Sequence, residues 1–160
     1  MHLKIHNMAG HLIRRLHQIS TSVFQNGMKR HQHDCTAVQF AALQAISTKP
    51  NQDQATVAGL IAYDRATIGG VIDRLEAKGL VLRSVNKRDR RAKELILTKK
   101  GNETLHSMMP IVEKLQLDML AGLSKSEQVE FLRLAEKLAK NANHLSRAPL
   151  IFPEDNNTPI

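Results

Sequence analysis

Basic side chains crowd into one short stretch near the middle of this sequence. Six of the eight residues from Asn86 to Lys93 carry charge, and the basic ones include Arg88, Arg90 and Arg91. Guanidinium groups form charge-assisted hydrogen bonds with phosphate oxygens and suit narrow grooves of negative potential. A merely solvated loop is the alternative interpretation, because runs of charge usually face water.

The net charge of the chain concentrates around that stretch. Residues 65–100 contain eleven Lys and Arg against four Asp and Glu, so they carry +7 of the formal net charge of +8 in a chain of 160 residues. A surface that faces phosphates is expected to look like this, because each neutralised phosphate releases counterions and strengthens binding at low salt. The distribution therefore indicates a polyanionic partner.

Composition and the motifs that are absent argue against several other classes of protein. The chain lacks a run of roughly 18 apolar residues, and its start lacks the apolar block of a signal peptide, so a soluble, cytoplasmic protein without a membrane partner is expected. Cys35 is the only cysteine, which excludes an internal disulfide and a multi-cysteine zinc site. With no glycine-rich phosphate loop and no nucleophile and base at motif spacing, we expect neither an enzyme nor a cofactor.

Hydrophobic periodicity predicts mainly helical structure. Apolar residues at helical spacing predict a first helix over 9–29. A second helix over 37–47 follows the capping-box spacing of Thr36 and Gln39, in which each side chain bonds a backbone amide near the other.

The middle of the chain predicts a helix-turn-helix. Asp53 is placed to cap a short third helix that ends at about Tyr63, and Asp64 is placed to cap a fourth. The fourth helix runs through the apolar spacing that follows Arg65, and Gly79 is its stop signal. Two short helices joined by a tight turn form this motif.

A β-hairpin is predicted immediately after the fourth helix. Residues 80–85 and 93–97 read as strands, so the basic stretch lies at the hairpin tip. Two longer helices follow: Thr98 is a candidate cap for the fifth, which Pro110 should kink, and Ser124 begins the sixth in a capping box with Glu127. The fold class is therefore mainly α with a small β-hairpin wing.

Three motifs in register carry a resemblance to a known family. They are D-R-x-T from Asp64, R-L-E-x-K-G-L-V from Arg74, and D-R-R-x-K-x-x-x-L-T-x-x-G from Asp89. Over roughly residues 12–145 the chain resembles the MarR family of bacterial winged-helix regulators. The resemblance implies a homodimer that binds a palindromic double-stranded DNA operator, with the fourth helix in the major groove and the wing beside it.

The resemblance also implies how the single domain, residues 1–160, is organised. Dimerisation helices would occupy 9–35 and 102–147, the winged helix-turn-helix lobe 36–101, and an irregular tail 148–160. Apart from the resemblance, helices one, five and six carry apolar stripes that are longer than a compact winged lobe can cover. A second copy of the chain would cover them.

Candidate DNA-binding residues fall on the fourth helix and the wing. On the helix they are Arg65, Thr67, Gly69, Gly70 and Arg74, and on the wing they are Arg88, Arg90, Arg91 and Lys93. In the family's pattern Arg91 enters the minor groove and Asp89 orients the wing, although Asp89 could be an ordinary turn residue. Paired glycines cost a helix about 1 kcal/mol each relative to alanine, so they either permit close backbone approach to DNA or pack against helix two.

Members of the family often release DNA when a small aromatic acid binds between the dimerisation helices and the DNA-binding lobe. Candidate effector-binding residues are Arg14, His17, Ser20 and Gln39. A cation beside an apolar wall suits a ring carboxylate, but His17 could equally be a hydrogen-bonded interface residue and Arg14 could pair with the partner chain. The start of the chain resembles a branch that governs breakdown of aromatic acids, which favours a repressor released by a benzoate-like or nicotinate-like acid.

Three alternatives remain open on the sequence alone. His31, His33 and Cys35 could bind a transition metal, or could belong to a solvated connection. Cys35 could be a redox sensor if a nearby positive charge, such as His33, lowers its pKa. The protein could also be an architectural DNA-binding protein that responds to no effector.

Overall fold

The computed structural model describes residues 3–85 and 93–151, and in that part of the chain it shows six α-helices and one antiparallel hairpin. The helices and strands are α1 (Ala9–Arg30), α2 (Ala37–Thr48), α3 (Gln54–Leu60), α4 (Ile68–Ala77), β1 (Val81–Val85), β2 (Lys93–Leu97), α5 (Lys99–Met119) and α6 (Lys125–Asn141). Two short 3₁₀ turns cover Lys4–Asn7 and Asn143–Leu145. The predicted fold class, a winged helix-turn-helix with long flanking helices, is confirmed.

Helix starts follow the capping residues that the sequence predicts. Thr36 and Gln39 form a complete capping box at α2, and Ser124 and Glu127 form another at α6. The carboxylate of Asp53 accepts a hydrogen bond of 2.7 Å from the amide of Thr56 at the start of α3. Each cap satisfies amides that the first turn of a helix leaves unpaired, which is why these positions begin helices.

Asp64 caps a turn rather than the first residues of α4. Its Oδ1 accepts hydrogen bonds from the amides of Ala66 and Thr67, at 2.8 and 3.2 Å, and α4 begins only at Ile68. The prediction that Arg65 and Thr67 lie in the fourth helix is therefore wrong. Both lie in the turn that leads into it, because Asp64 satisfies the amides of that turn locally.

The third helix ends at Leu60, three residues before the predicted end at Tyr63. Ala62 takes a left-handed conformation with φ 52°, and the amide of Tyr63 bonds the carbonyl of Ala58 at 2.8 Å. These bonds form a Schellman motif with alanine at the position that glycine usually fills. At the end of α4 the same motif uses Gly79, with φ 69°, as predicted.

The start of α5 is bound tightly to the end of α4. Thr98 Oγ1 donates to the carbonyl of Gly79 at 2.7 Å and accepts from the amide of Gly101 at 2.9 Å. A Cβ at Gly101 would lie 2.0 Å from the carbonyl oxygen of Leu80, so only glycine fits there. Further along, α5 runs through Pro110 to Met119 as one continuous helix.

The core lies between α2, α3, α4 and β2, with the second half of α1 and the first half of α5 packed on it. Its largest fully buried side chains are Met28, Leu43, Ile46, Ile68, Ile72, Leu75, Leu95 and Met108. Burying each such side chain contributes roughly 1.5–3 kcal/mol, which fixes the helix-turn-helix as one unit. The hairpin pairs Val81 with Leu97, and Leu95 also bridges to Gln52, so the wing is joined to the segment before α3.

Two helices leave apolar faces uncovered. On α1 the predicted stripe is largely exposed, with Leu12 at 44% and Leu16 at 48% accessibility, whereas Phe24 and Met28 in its second half are buried. Helix α6 has no buried residue, and Leu138 is 57% exposed. None of the helices in the described ranges is long and apolar enough to cross a membrane.

Candidate nucleic-acid interface

The solvent-facing side of α4 carries the predicted contact residues. Ile68, Val71, Ile72 and Leu75 point into the core. The opposite side is therefore free, and Gly70 and Arg74 are exposed on it. Arg65 and Thr67 are exposed in the preceding turn, so all four positions are accessible to a partner.

The paired glycines on α4 are not required by packing. A Cβ at Gly70 would meet no described atom within 4 Å, and a Cβ at Gly69 would approach only Gln54 Nε2, at 3.9 Å. The interpretation that they pack against helix two therefore has no support in the contacts. Because glycine has no side chain, the backbone of α4 is accessible at these positions between longer side chains.

Arg83 on β1 connects the base of the wing to α4. Its guanidinium bonds the carboxylate of Asp73 at 2.5 Å and also that of Glu76. The Arg83 side chain is 19% exposed, so this fork of two ion pairs is partly shielded from solvent. Two carboxylates on the basic surface are thereby neutralised, and the wing base is held in a fixed direction relative to α4.

Lys93 begins β2 and lies at the foot of the wing. It is exposed, stands opposite Val85 in the hairpin register, and lines a cleft of about 610 Å³ with Asp53, Asp73 and Arg83. The remaining predicted wing residues, Arg88, Asp89, Arg90 and Arg91, lie outside the described residues. Their roles stay predictions.

Gln39 is a structural residue. It is 3% exposed, and its Oε1 accepts hydrogen bonds from the amide of Thr36 at 3.2 Å and from Lys78 Nζ at 3.3 Å. Lys78 also pairs with Asp34 at 2.8 Å, which joins the end of α4 to the start of α2. These contacts give the side-chain oxygen of Gln39 a structural role at the start of α2, and effector binding by Gln39 stays a prediction.

A small cavity of about 190 Å³ lies between α1, α2 and α5. Ser20 and Gln116 are its polar lining residues, and Phe24 and Phe40 form an aromatic wall with ring centroids 6.0 Å apart. Apolar walls with a few polar groups are typical of sites for small organic ligands. Of the four predicted effector residues, only Ser20 lines this cavity.

Arg14 and His17 lie on α1 toward its start, outside the cavity. Both are exposed, and Arg14 donates to Gln18 Oε1 at 2.9 Å. His17 is three residues before Ser20, so the two share one face of the helix a turn apart. Within one protomer His17 is therefore not part of the cavity wall.

The comparisons with known proteins agree with this arrangement. Residues 35–93, from the end of the first loop to the start of β2, match the sequence profile of the MarR family. The transcriptional regulator HosA of Escherichia coli O127:H6 is 30% identical over 136 residues, which cover 85% of this chain and 98% of HosA. The chain belongs to the MarR family. It is a transcriptional regulator with the DNA-binding winged-helix fold of that family.

Two further MarR-type relatives are similar to this chain. The HTH-type transcriptional repressor NicR of Pseudomonas putida is 33% identical over 133 residues, covering 81% of this chain and 80% of NicR. The structure of BpsR from Bordetella bronchiseptica, whose DNA binding is regulated by 6-hydroxynicotinic acid, is 30% identical. It superposes with a TM-score of 0.79 and covers 87% of this chain and 98% of BpsR.

The loop between α1 and α2 does not assemble a metal site in this MarR-family structure. His31 is exposed, His33 is partly exposed and Cys35 is buried. Within residues 3–85 and 93–151, no three His, Cys, Asp or Glu side chains form a group that could hold a metal ion. The alternative that His31, His33 and Cys35 bind a transition metal is thus without geometric support.

The environment of Cys35 also disfavours a reactive thiol. Burial raises the pKa of the thiol to about 11, and the positive charge of Lys78 opposes this shift only in part. The thiolate is the reactive form, so a raised pKa makes the sulfur a poor target for peroxides at neutral pH. The nearby charge comes from Lys78, where the sequence had suggested His33.

Three residues of this site have no clear sequence signal. Arg83 and Lys78 act through partners that lie on other elements, and Gln116 enters the cavity from α5. The R-L-E-x-K-G-L-V motif includes Lys78 but does not reveal its contact with Asp34. Only the tertiary structure identifies such partners.

Proposed function

We propose that this MarR-family chain is a homodimeric repressor of a catabolic operon, released from a palindromic operator by a small aromatic carboxylate. One observation carries the proposal. The same chain presents an exposed α4 face and a hairpin whose connecting segment, residues 86–92, is basic in sequence, and it leaves the apolar faces of α1 and α6 uncovered. A dimeric DNA-binding protein requires both a surface that contacts DNA and an apolar surface that a second copy covers.

The uncovered helices support the homodimer. Leu12, Leu16 and Ile19 of α1 and Leu132 and Leu138 of α6 are each between 44% and 57% exposed in the single chain. Apolar area removed from water is worth roughly 25 cal/mol per Å², so mutual burial of two such faces in each chain is strongly favourable. Members of the family are dimeric.

The charge distribution supports DNA as the partner. Residues 65–100 carry +7 of the net charge, and Arg83 neutralises Asp73 and Glu76 on the same surface. A dimer would place two α4 helices in successive major grooves, and Arg91 at the wing tip would enter the flanking minor groove. The repressor NicR and the DNA-binding BpsR support the same assignment.

The cavity supports a single-ring acid as the effector. Phe24 and Phe40 supply the apolar wall, and Ser20 and Gln116 supply hydrogen-bonding groups. His17 precedes Ser20 by one turn of α1, and we assign to His17 and Arg14 the role of meeting a carboxylate that projects from the cavity. Regulation of BpsR by 6-hydroxynicotinic acid favours the nicotinate-like class for this chain.

The DNA-binding part of the proposal is tested with labelled DNA from the gene's own upstream region. Fluorescence anisotropy should show tight binding to the palindrome, weaker binding when one half-site is scrambled, and a steep loss of affinity with salt. Arg91→Ala should cost roughly 1–3 kcal/mol of binding free energy while the dimer stays folded. Lys125→Ala, which removes an exposed charge at the start of α6, is the matched control and should bind normally.

The same experiment distinguishes a sequence-specific repressor from an architectural DNA-binding protein. An architectural protein would bind scrambled DNA nearly as well as the palindrome, since its contacts go to the backbone rather than to base edges. Equal affinity for both fragments would therefore overturn the sequence-specific assignment. An unchanged affinity of Arg91→Ala would overturn the wing assignment alone.

A further inference from the structure

After α6 the chain turns back toward the helix-turn-helix. The side chain of Asn143 brackets the backbone of Leu150, with Nδ2 donating to its carbonyl at 2.9 Å and Oδ1 accepting from its amide at 2.8 Å. Inside the loop closed by these two bonds, the amide of Ala148 donates to Ser146 Oγ at 3.1 Å. Residues 143–151, which we call the C-terminal strap, therefore have a defined path, although residues 148–151 form no helix or strand.

The far end of the strap lies on α3. The amide of Ile151 donates to the carbonyl of Gly59 at 2.9 Å. A Cβ at Gly59 would lie 2.5 Å from Ile151 Cδ1, so the strap approaches α3 more closely than a longer residue at 59 would permit. Leu150 also lines a groove of about 470 Å³ between α2 and α3, together with Phe40 and Ile61.

The contact between the strap and α3 links the helix-turn-helix to the end of α6. Helix α3 belongs to the helix-turn-helix and packs on α2, α4 and β2. Helix α6 has no buried residue within its own protomer, and under the proposed function it associates with a partner. The strap connects the end of α6 to the helix-turn-helix of α3 and α4, which we call the reading head. The connection is covalent through the chain and is fixed by hydrogen bonds at Asn143 and Ile151.

We propose that the C-terminal strap fixes the reading head relative to α6 and so narrows the range of half-site separations that the dimer accepts. Asn143 and Ile151 are positioning residues that act on DNA binding through α3. This inference rests on the proposed function, since it needs a dimer that reads two half-sites. Each added base pair moves a half-site by about 3.4 Å and rotates it by about 34°, so a rigidly held head rejects a change that a loosely held head tolerates.

The first experiment tests the contact in solution without DNA. In a Cys35→Ser background, Gly59→Cys and Ile151→Cys are combined, because a Cβ at 59 would lie 3.4 Å from the Cβ of Ile151. That distance is close to the roughly 3.5–4.5 Å found in disulfides. Mild oxidation should give one disulfide within each chain, identified by peptide mass mapping. Free thiols, or disulfides only between chains, would overturn the strap.

The second experiment tests the positioning role with a set of operators whose half-site spacing changes by one or two base pairs. Wild-type protein should lose about tenfold in affinity for each displaced base pair, whereas Asn143→Ala should lose less than about threefold, at unchanged dimer mass. Asn143→Asp should lie between Asn143→Ala and the wild type, because its carboxylate still accepts from the amide of Leu150 but cannot donate to its carbonyl. Asn141→Ala, which removes the same amide from an exposed position two residues earlier, should match the wild type.

A rescue makes the test specific. The oxidised cysteine pair introduced into Asn143→Ala should restore the sharp spacing preference, which a general loss of stability would not explain. If Asn143→Ala keeps the wild-type preference while the wild type binds its operator, the positioning role is wrong and the proposed function stands. If the wild type binds no operator, the proposed function is wrong and the positioning role fails with it, while the crosslink still decides whether the contact exists.

Discussion

At the scale of single residues, α4 combines a glycine pair with a long arginine on its outer side. Gly70 is exposed with open space around it, and Arg74 follows one turn later. Glycine is among the worst helix formers, so it lowers the stability of α4 relative to alanine. No packing contact at Gly70 requires it. We propose that the α4 backbone approaches DNA closely at this position.

Gly70→Ala should therefore separate stability from binding. The free energy of unfolding should rise by up to about 1 kcal/mol, while operator affinity should fall because the added methyl group occupies space that the groove wall needs. Gly10→Ala is the matched control, since Gly10 also lies in the first turn of a helix with open space around it. It should gain stability and bind DNA normally. Unfolding in urea and anisotropy measure the two quantities, and unchanged binding of Gly70→Ala would contradict the close approach.

Cys35 gives a prediction about pH. Its folded-state pKa of about 11 lies above the ordinary thiol value of 9.0 because burial disfavours the thiolate. The unfolded state therefore loses its proton first as pH rises, and the stabilising contribution, present in full below pH 9, is lost between about pH 9 and 11. Relative to Cys35→Ala, the wild type should lose roughly 2 kcal/mol over that interval. Parallel urea titrations of the two proteins measure the difference, and rapid alkylation of native Cys35 at pH 7.5 would contradict the burial.

At the scale of elements, helix ends show where sequence is informative and where it is not. Capping residues such as Asp53, Thr98 and Ser124 have side chains that bond nearby amides, so their signal is local and the starts of α3, α5 and α6 are correctly predicted. The start of α4 is not, because Asp64 bonds the amides of the turn before it. The end of α3 depends on a left-handed alanine, Ala62, and alanine carries no such signal. Long-range partners such as Arg83 with Asp73 and Lys78 with Asp34 are likewise invisible in the sequence.

The left-handed alanine can be tested by exchange with glycine. Ala62→Gly should stabilise the fold by about 1 kcal/mol, because the native conformation at 62 is costly for a residue with a Cβ. The reverse change at the end of α4, Gly79→Ala, should destabilise it by a similar amount. Both are compared with the wild type at one protein concentration, since dimerisation makes stability depend on concentration. Equal stability of Ala62→Gly and the wild type would show that the Schellman motif at α3 is not strained.

At the scale of the whole molecule, the chain has a lobe that we propose binds DNA and helices that we propose associate with a second copy. The lobe is complete in one chain, because Leu43, Ile72 and Leu75 are fully buried within it. The faces of α1 and α6 are incomplete, and the cavity beside Ser20 lies where α1 and α5 meet the lobe. An acid bound in that cavity would contact both parts, so it is placed to change how the two reading heads are held.

Release of DNA by a ring acid tests this account most directly. Anisotropy of labelled upstream DNA is followed while benzoate and nicotinate relatives are added to the wild type and to His17→Ala, with the corresponding neutral amides as controls. At least one acid should release DNA from the wild type, the corresponding amide should not, and His17→Ala should need a higher concentration of the acid. Operator binding that no acid weakens would contradict the regulatory claim, and normal release from His17→Ala would contradict the position of the effector carboxylate.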